Sequence, residues 1–262
     1  MLTIQNYVRA QSLEQAYELN LKKSNRILGG MLWLRLSDGT VNTAIDLGDL
    51  GLNTIGETEE EFSIGAMVTL RQLEQHAGLN AYTGGAVAKA VGDIVGVQFR
   101  NMATVGGSVY GRFGFSDVLT VFLAMDTEVE LFRAGTVPLE RFAEMPQQRD
   151  VLVRIRVKKR PGAFSYQAVR NARTDLPVLT CAVSRLDGEY RAVLGARPMR
   201  AMVLRDGQDL LADGVTPQSA AAFAAYAAQQ TPTGSNSRAG AAYRTHLVQV
   251  LTGRGLQELE EH

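Results

Sequence analysis

The period of the apolar positions changes along the chain, and each change marks an element. Ser12 precedes Leu13, Ala16 and Tyr17, with Gln15 three residues after it, a capping-box pattern that starts a short helix. Arg26-Ile27-Leu28 reads as a short strand running into Gly29-Gly30, and Asn42 to Leu47 reads as another buried strand. The opening stretch therefore predicts a β-α-β unit. A second unit begins near Phe62, where Phe62 to Ala66 looks like a strand and Thr69 caps a helix with Gln72 at the matching position. A helix is expected from about Gly85 to Val95. After Thr104-Val105-Gly106-Gly107-Ser108, Ser116 starts an apolar helix containing Val118, Leu119, Phe122 and Leu123. Glu128 to Phe132 alternates at period two, as a half-buried strand does.

The same alternation in Val151 to Val157 is broken by Lys158-Lys159-Arg160-Pro161-Gly162, which predicts a domain boundary. Beyond it, Ala163 to Val169, Val178 to Leu186 and Tyr190 to Leu194 read as antiparallel strands, the last two joined by an Asp187-Gly188 turn. Ala220 to Ala228 is an alanine-rich helix, Thr233 to Ser237 a polar loop and Ala241 to Leu251 a final amphipathic helix. No repeat of fixed period links the two glycine pairs.

Bulk properties narrow the function. The 262 residues suit one large domain or two smaller ones, and 45% hydrophobic content is enough for a substantial core. Lys+Arg and Asp+Glu both number 27, so no basic surplus points to nucleic acid. A net charge near zero gives little protection against self-association, which fits life inside a complex. Cys181 is the single cysteine, so the chain alone makes no disulfide and holds no zinc or iron–sulfur cluster, in keeping with a reducing compartment. The Met1 to Tyr7 start lacks charged and apolar leader regions, and no run approaches the roughly 20 apolar residues of a membrane span. A cytoplasmic location is the expectation.

The chemistry concentrates at the glycine pairs. Gly29-Gly30 follows a strand, and Gly106-Gly107 reads as preceding one. Glycine lets a backbone approach a ligand closely, and consecutive N–H groups in such a loop form an anion-binding concavity suited to a diphosphate. The plainer reading of each pair is a tight turn. Ser116 and Asp117 are either a helix cap or partners for ligand hydroxyls, and Thr104 and Ser108 are either turn residues or ligand contacts. Arg100 suits an ion pair within the domain or a phosphate contact. Trp33, the one tryptophan, reads as core or as a cofactor edge. Cys181 sits in an apolar strand as inert core. His76, His246 and His262 are scattered and suggest no metal site. The run Arg154, Arg156, Lys158, Lys159, Arg160 reads as a solvated strand edge, with partner docking as the sharper option. No Ser/His/Asp or Cys/His arrangement announces a hydrolase.

The longer string Arg100-Asn101-Met102-Ala103-Thr104-Val105-Gly106-Gly107-Ser108-Val109, then Ser116-Asp117, then Leu123 to Val129, resembles the FAD-binding subunits of the xanthine dehydrogenase and carbon monoxide dehydrogenase family. Ile64-Gly65-Ala66-Met67-Val68-Thr69-Leu70 and Ile27-Leu28-Gly29-Gly30 are similar to two further blocks of that family, as are Ala242-Tyr243-Arg244 and Val250 to Arg254 near the end. The blocks run in family order from about Asn6 to Leu256.

The resemblance implies an α+β fold: a two-subdomain FAD-binding domain of the vanillyl-alcohol-oxidase (PCMH) type over 1–158, split into about 1–56 and 57–158, then an α+β domain over 159–262 like the C-terminal domain of the CO dehydrogenase flavoprotein. It implies FAD with its pyrophosphate against both glycine loops. Contacts are expected from Ile27, Leu28, Gly29, Gly30, Met31, Leu32 and Trp33; from Thr104, Gly106, Gly107, Ser108, Ser116 and Asp117; and from Leu152 and Gln167. It implies no catalytic residue and no metal ligand in this chain. The function implied is electron transfer, from the [2Fe–2S] clusters of a small subunit to NAD or another acceptor, with substrate chemistry on a molybdopterin-binding large subunit.

Three positions depart from the family. Met31 and Leu32 replace a Thr and an Asp, Ser108 replaces an Asn, and Gln167 or its neighbours occupy a stretch where a basic residue often reaches the flavin. Each lost neutral hydrogen bond removes about 0.5–1.5 kcal/mol. A flavin-deficient assembly scaffold is therefore the alternative, and a free-standing FAD reductase of the enolpyruvyl-glucosamine type a further rival.

Overall fold

A computed structural model of the chain describes residues 1–261. It contains β1 (Leu2–Arg9), α1 (Leu13–Asn20), β2 (Arg26–Leu28) and β3 (Gly39–Asp46), with the three strands in a parallel sheet of order β1-β3-β2. Ser12 starts α1 by accepting from the Gln15 N–H at 3.1 Å, but the Gln15 side chain returns to the Gln11 N–H, one residue earlier than a capping box requires.

The second sheet has five antiparallel strands, β4 (Ile55–Glu57), β5 (Glu61–Gly65), β6 (Thr127–Leu131), β7 (Gly135–Pro138) and β8 (Leu152–Lys158), in the order β4-β5-β8-β6-β7. Six short helices lie between β5 and β6: α2 (Leu70–Gln75), α3 (Ala77–Tyr82), α4 (Ala86–Gly92), α5 (Val97–Met102), α6 (Val105–Tyr110) and α7 (Asp117–Leu123). Helix α8 (Leu139–Glu144) lies between β7 and β8. At Thr69 the capping box of α2 closes fully.

The third sheet is antiparallel, β12-β11-β10-β9, built from β9 (Gly162–Arg170), β10 (Pro177–Leu186), β11 (Glu189–Gly195) and β12 (Met202–Arg205). Asp187 and Gly188 both have positive φ at the β10–β11 turn, as a two-residue hairpin demands. Helices α9 (Pro217–Gln230) and α10 (Ala241–Leu259) complete the layer, and α10 lies against β9 and β10.

One core joins the second and third sheets. Every residue of α7 is buried, and its cluster runs from Phe62, Val129 and Ile155 to Phe164, Tyr166 and Val193. Burying Leu119 or Phe122 there contributes roughly 1.5–3 kcal/mol each. Cys181 is buried in β10, its thiol pushed up to about 12 by burial. Arg244, fully buried at the start of α10, donates to the carbonyls of Val178, Gly234 and Ala239 and to Asn236 Oδ1, all within 2.9 Å.

Two expectations need correction. Gly106 and Gly107 do not precede a strand; they lie in the first turn of α6, because Thr104 Oγ1 accepts from the Gly107 N–H at 3.1 Å and caps a helix. The last helix continues past Leu251 to Leu259, since Leu256 and Leu259 still find buried partners.

The basic run is not at a strand edge, since β8 is the middle strand of its sheet, and it forms a ladder of mostly half-buried ion pairs. Arg154 and Arg156 meet Glu130, Lys158 meets Glu128, Lys159 meets Glu57, and Arg160 meets Asp126 and Asp187. Such pairs contribute about 0–1 kcal/mol each.

Candidate functional site

The two glycine turns face each other. An added Cβ on Gly29 would stand 2.8 Å from Thr104 Oγ1 and 3.9 Å from the Gly107 Cα, and one on Gly30 would collide with the Met102 carbonyl. A Cβ on Gly106 would stand 2.6 Å from the Ala66 carbonyl oxygen. At Gly30 and Gly106 only glycine permits this approach of one main chain to another.

The second turn is stitched to the segment before α2. Val105 N–H donates to the Val68 carbonyl, Gly106 N–H to the Ala66 carbonyl and Leu70 N–H to the Ala103 carbonyl, each at 2.8 Å. Ser108 donates its hydroxyl to the Thr104 carbonyl at 3.0 Å, and Ser116 donates its own to the Ser108 carbonyl at 2.9 Å while accepting from the Leu119 N–H. Nearby, Arg100 is an ion-pair residue. Its guanidinium grips both oxygens of Glu74 at 2.8 and 3.2 Å. Burial pushes the Glu74 carboxyl up, but the hydrogen bonds and charge of Arg100 and Arg71 outweigh it and hold the group below its ordinary value.

The first turn is different. Among the described residues, none accepts a hydrogen bond from the N–H groups of Gly29, Gly30, Met31 or Leu32. Met31 is held at φ +59°, a left-handed conformation unusual for a side chain of its size. The result is a run of main-chain donors left unpaired by the fold beside the second turn, the kind of group that binds an anion.

Two clefts open on either side of this junction, and both include Ile27, Gly29, Thr104 and Gly107. The larger, about 490 Å³, takes in Gly30, Met31, Leu32 and Trp33 from the first turn and Ser108, Ser116 and Asp117 from the second side. Its mouth carries an aromatic cluster: Phe113 and Phe115 stack at 5.2 Å, and Trp33 lies 5.6 Å from Phe115 and 6.2 Å from Phe113. Trp33 is half exposed, so it is a rim residue and not core. The smaller cleft, about 380 Å³, is bounded by Leu28, Gly106, Tyr110 and the 147–152 segment with Leu152.

The third sheet reaches the larger cleft through Arg170. It meets Asp117 Oδ1 at 2.5 Å, and Tyr166 donates to the same oxygen at 2.5 Å. Burial pushes the Asp117 carboxyl up, against the pull of Arg170 and Tyr166. A second pair, Arg238 with Asp175 at 3.0 Å, also lines this cleft.

Fourteen of the fifteen site residues expected from sequence line one cleft or the other. Gln167 does not. Strand alternation turns it away from the cleft; it pairs with Cys181 across β9–β10 and lies beside Glu258, while Arg170, three residues on, reaches the cleft. Sequence reasoning missed Arg170, Phe113 and Phe115. The aromatic pair flanking Gly114, immediately before Ser116, was the available signal.

A long, two-headed ligand fits these features. The free amides suit a pyrophosphate, the apolar and aromatic chamber a planar ring system, and the smaller chamber a nucleoside. Residues 2–157 match the family described as "FAD binding domain in molybdopterin dehydrogenase". A xanthine dehydrogenase FAD-binding subunit of Escherichia coli O157:H7 is 25% identical over 98% of this chain and 97% of its own length. The protein YgfM of Escherichia coli K12 is 26% identical over 95% and 93%. In fold, the chain matches the structure of a carbon monoxide dehydrogenase from Hydrogenophaga pseudoflava with a TM-score of 0.84, covering 98% of this chain and 97% of that one at 23% identity. With more than half its length matched, this chain belongs to the family of FAD-binding domains of molybdopterin dehydrogenases.

Proposed function

We propose that the chain is the FAD-carrying electron-transfer subunit of a molybdopterin-dependent hydroxylase or dehydrogenase. Its electrons come from [2Fe–2S] clusters on a small partner, its acceptor is NAD or another oxidant, and substrate chemistry belongs to a molybdopterin-binding large partner. FAD, once bound, supplies the ability to take up and release electrons singly or in pairs; the protein contributes binding, orientation and electrostatics.

The observation that carries this reading is the run of unpaired N–H groups from Gly29 to Leu32, beside Thr104 and Gly107 at the junction of two clefts. Those amides would receive the pyrophosphate. Trp33, Phe113 and Phe115 would cover the ring and keep water from it. Asp117 directs one oxygen to Tyr166 and Arg170 and would offer the other to a ribityl hydroxyl, with Ser116 and Ser108 holding the turn beneath. Leu28, Tyr110 and Leu152 would bound the nucleoside. Units of about 1–56, 57–158 and 159–262 would then meet around the cofactor, the third supplying Arg170 and Arg238.

The test is to purify the chain from its own cells at moderate salt and record its spectrum and metal content. A flavin band near about 450 nm, with molybdenum and iron co-purifying, is the expected outcome. Molybdenum and iron without flavin would instead support the scaffold role that Met31 and Leu32 suggest. Flavin without either metal would support a free-standing reductase.

A further inference from the structure

We propose that Arg112 pairs with a carboxylate on a partner subunit, its covered cation parked on an aromatic face until assembly draws it out to that counter-ion. The proposal rests on the assembly reading above.

Arg112 is 8% exposed, and Nε and both terminal nitrogens are buried with no hydrogen-bond partner. Arg244 shows how this chain treats a structural arginine: it is fully buried and meets four acceptors within 2.9 Å. What Arg112 has instead is a stack. Its guanidinium carbon lies 3.9 Å from the Phe142 ring centre and 5.5 Å from that of Tyr110. A cation–π contact offsets only part of the loss of hydration when a charge is buried unpaired. The residue also sits at φ +49°, in the left-handed region that a long side chain seldom adopts. Strain of this kind persists where surrounding structure enforces it, and it clusters at functional positions.

The surroundings are cationic. Burial weakens the hold of Arg112 on its proton, against the pull of Tyr110, and the nearby charge of Arg200 adds to the weakening. Arg200 donates to the Glu144 carbonyl at 2.7 Å, and Arg197 to the carbonyls of Arg200 and Pro232 at 2.8 and 2.7 Å. Among the described residues no carboxylate pairs with Arg112, Arg197 or Arg200. The chain has as many acidic as basic residues, so this is a local surplus and not a general one. The segments are joined: Ala196 N–H donates to the Gly114 carbonyl at 2.5 Å. Met199, 40% exposed, adds apolar surface beside Arg197. Arginine with aromatic and methionine side chains is the composition of a protein interface, and a carboxylate side chain on an apolar partner surface is its complement.

The experiment compares tagged wild-type chain with Arg112→Leu and Arg200→Ala, each purified from native cells and assayed for molybdenum and iron per chain, with melting curves of the separated chains. We expect Arg112→Leu to melt no lower than wild type, since it removes an unpaired buried charge, yet to carry metal at least about tenfold reduced. Arg200→Ala should melt as wild type and lose about threefold. Undiminished metal in a folded Arg112→Leu chain, at any melting temperature, would overturn the proposal. If that variant does not fold, Arg200→Ala decides alone. Stabilisation of the separated wild-type chain by about 50 mM acetate, absent in Arg112→Leu, is expected if Arg112 takes a carboxylate. A wild-type chain without metal would defeat the assembly reading itself, a result distinct from variants that match a metal-bearing wild type.

Discussion

The two glycine turns reach the same junction by opposite means. The second turn uses its amides internally: those of Gly106 and Gly107 go to Ala66 and Thr104, and Ser108 and Ser116 lock the carbonyls. It is a rigid wall with hydroxyls on it. The first turn leaves its amides free and carries apolar Met31 and Leu32 where the family has polar side chains. A turn that has lost its side-chain partners can still bind an anion, because main-chain donors do not depend on residue identity. The wall supplies shape; the open turn supplies charge complementarity.

Substitutions can break this division, and the largest effect is expected beneath the wall. Arg100→Leu leaves a mostly buried Glu74 short of its main partner and should cost about 3 kcal/mol, read by denaturant unfolding. Gly30→Ala drives a Cβ into the Met102 carbonyl and should cost about 1–3 kcal/mol, with FAD lost on gel filtration because the turns are forced apart. Thr104→Val removes the cap on Gly107 and should cost about 1 kcal/mol in thermal unfolding.

Acidity probes the same wall. The Glu74 carboxyl is lower in the fold than its unfolded value of about 4.3. Its contribution is therefore present above that value and lost as pH falls through the folded one. Stability measured from pH 6 down to about 3 should show this loss in the wild type and much less of it in Arg100→Leu. The smallest effect is expected at the open turn. Met31→Gly relieves the left-handed conformation and should change stability by less than about 1 kcal/mol while leaving FAD bound, since glycine keeps the amide.

Much of this was legible in the sequence wherever the signal was local. Thr69 with Gln72, Ser116 before an apolar helix, and Asp187-Gly188 each carry their own geometry, and the structure has a cap or a turn at each. The glycine turns were legible as turns, but not which of them kept its donors free. That depends on the segment from Ala66 to Leu70, about forty residues upstream of Gly106, which takes up the second turn's hydrogen bonds. Strands β4, β7 and β12, of three or four residues, carry too few alternations to register. Gln167 was misplaced because β9 presents alternate residues to opposite faces, so an error of one position exchanges the cleft for the α10 side of the sheet. The pairing of Asp117 with Tyr166 and Arg170 joins residues about fifty positions apart and has no local signature.

Calorimetric titration of the cofactor-free chain with FAD, and in parallel with FMN, tests most directly whether the two turns grip a pyrophosphate between two chambers. FAD should bind one to one, and at least about a hundredfold tighter than FMN, which lacks the bridging pyrophosphate and the second head. Equal affinity for the two, or none for FAD in a chain that remains folded, would contradict the account.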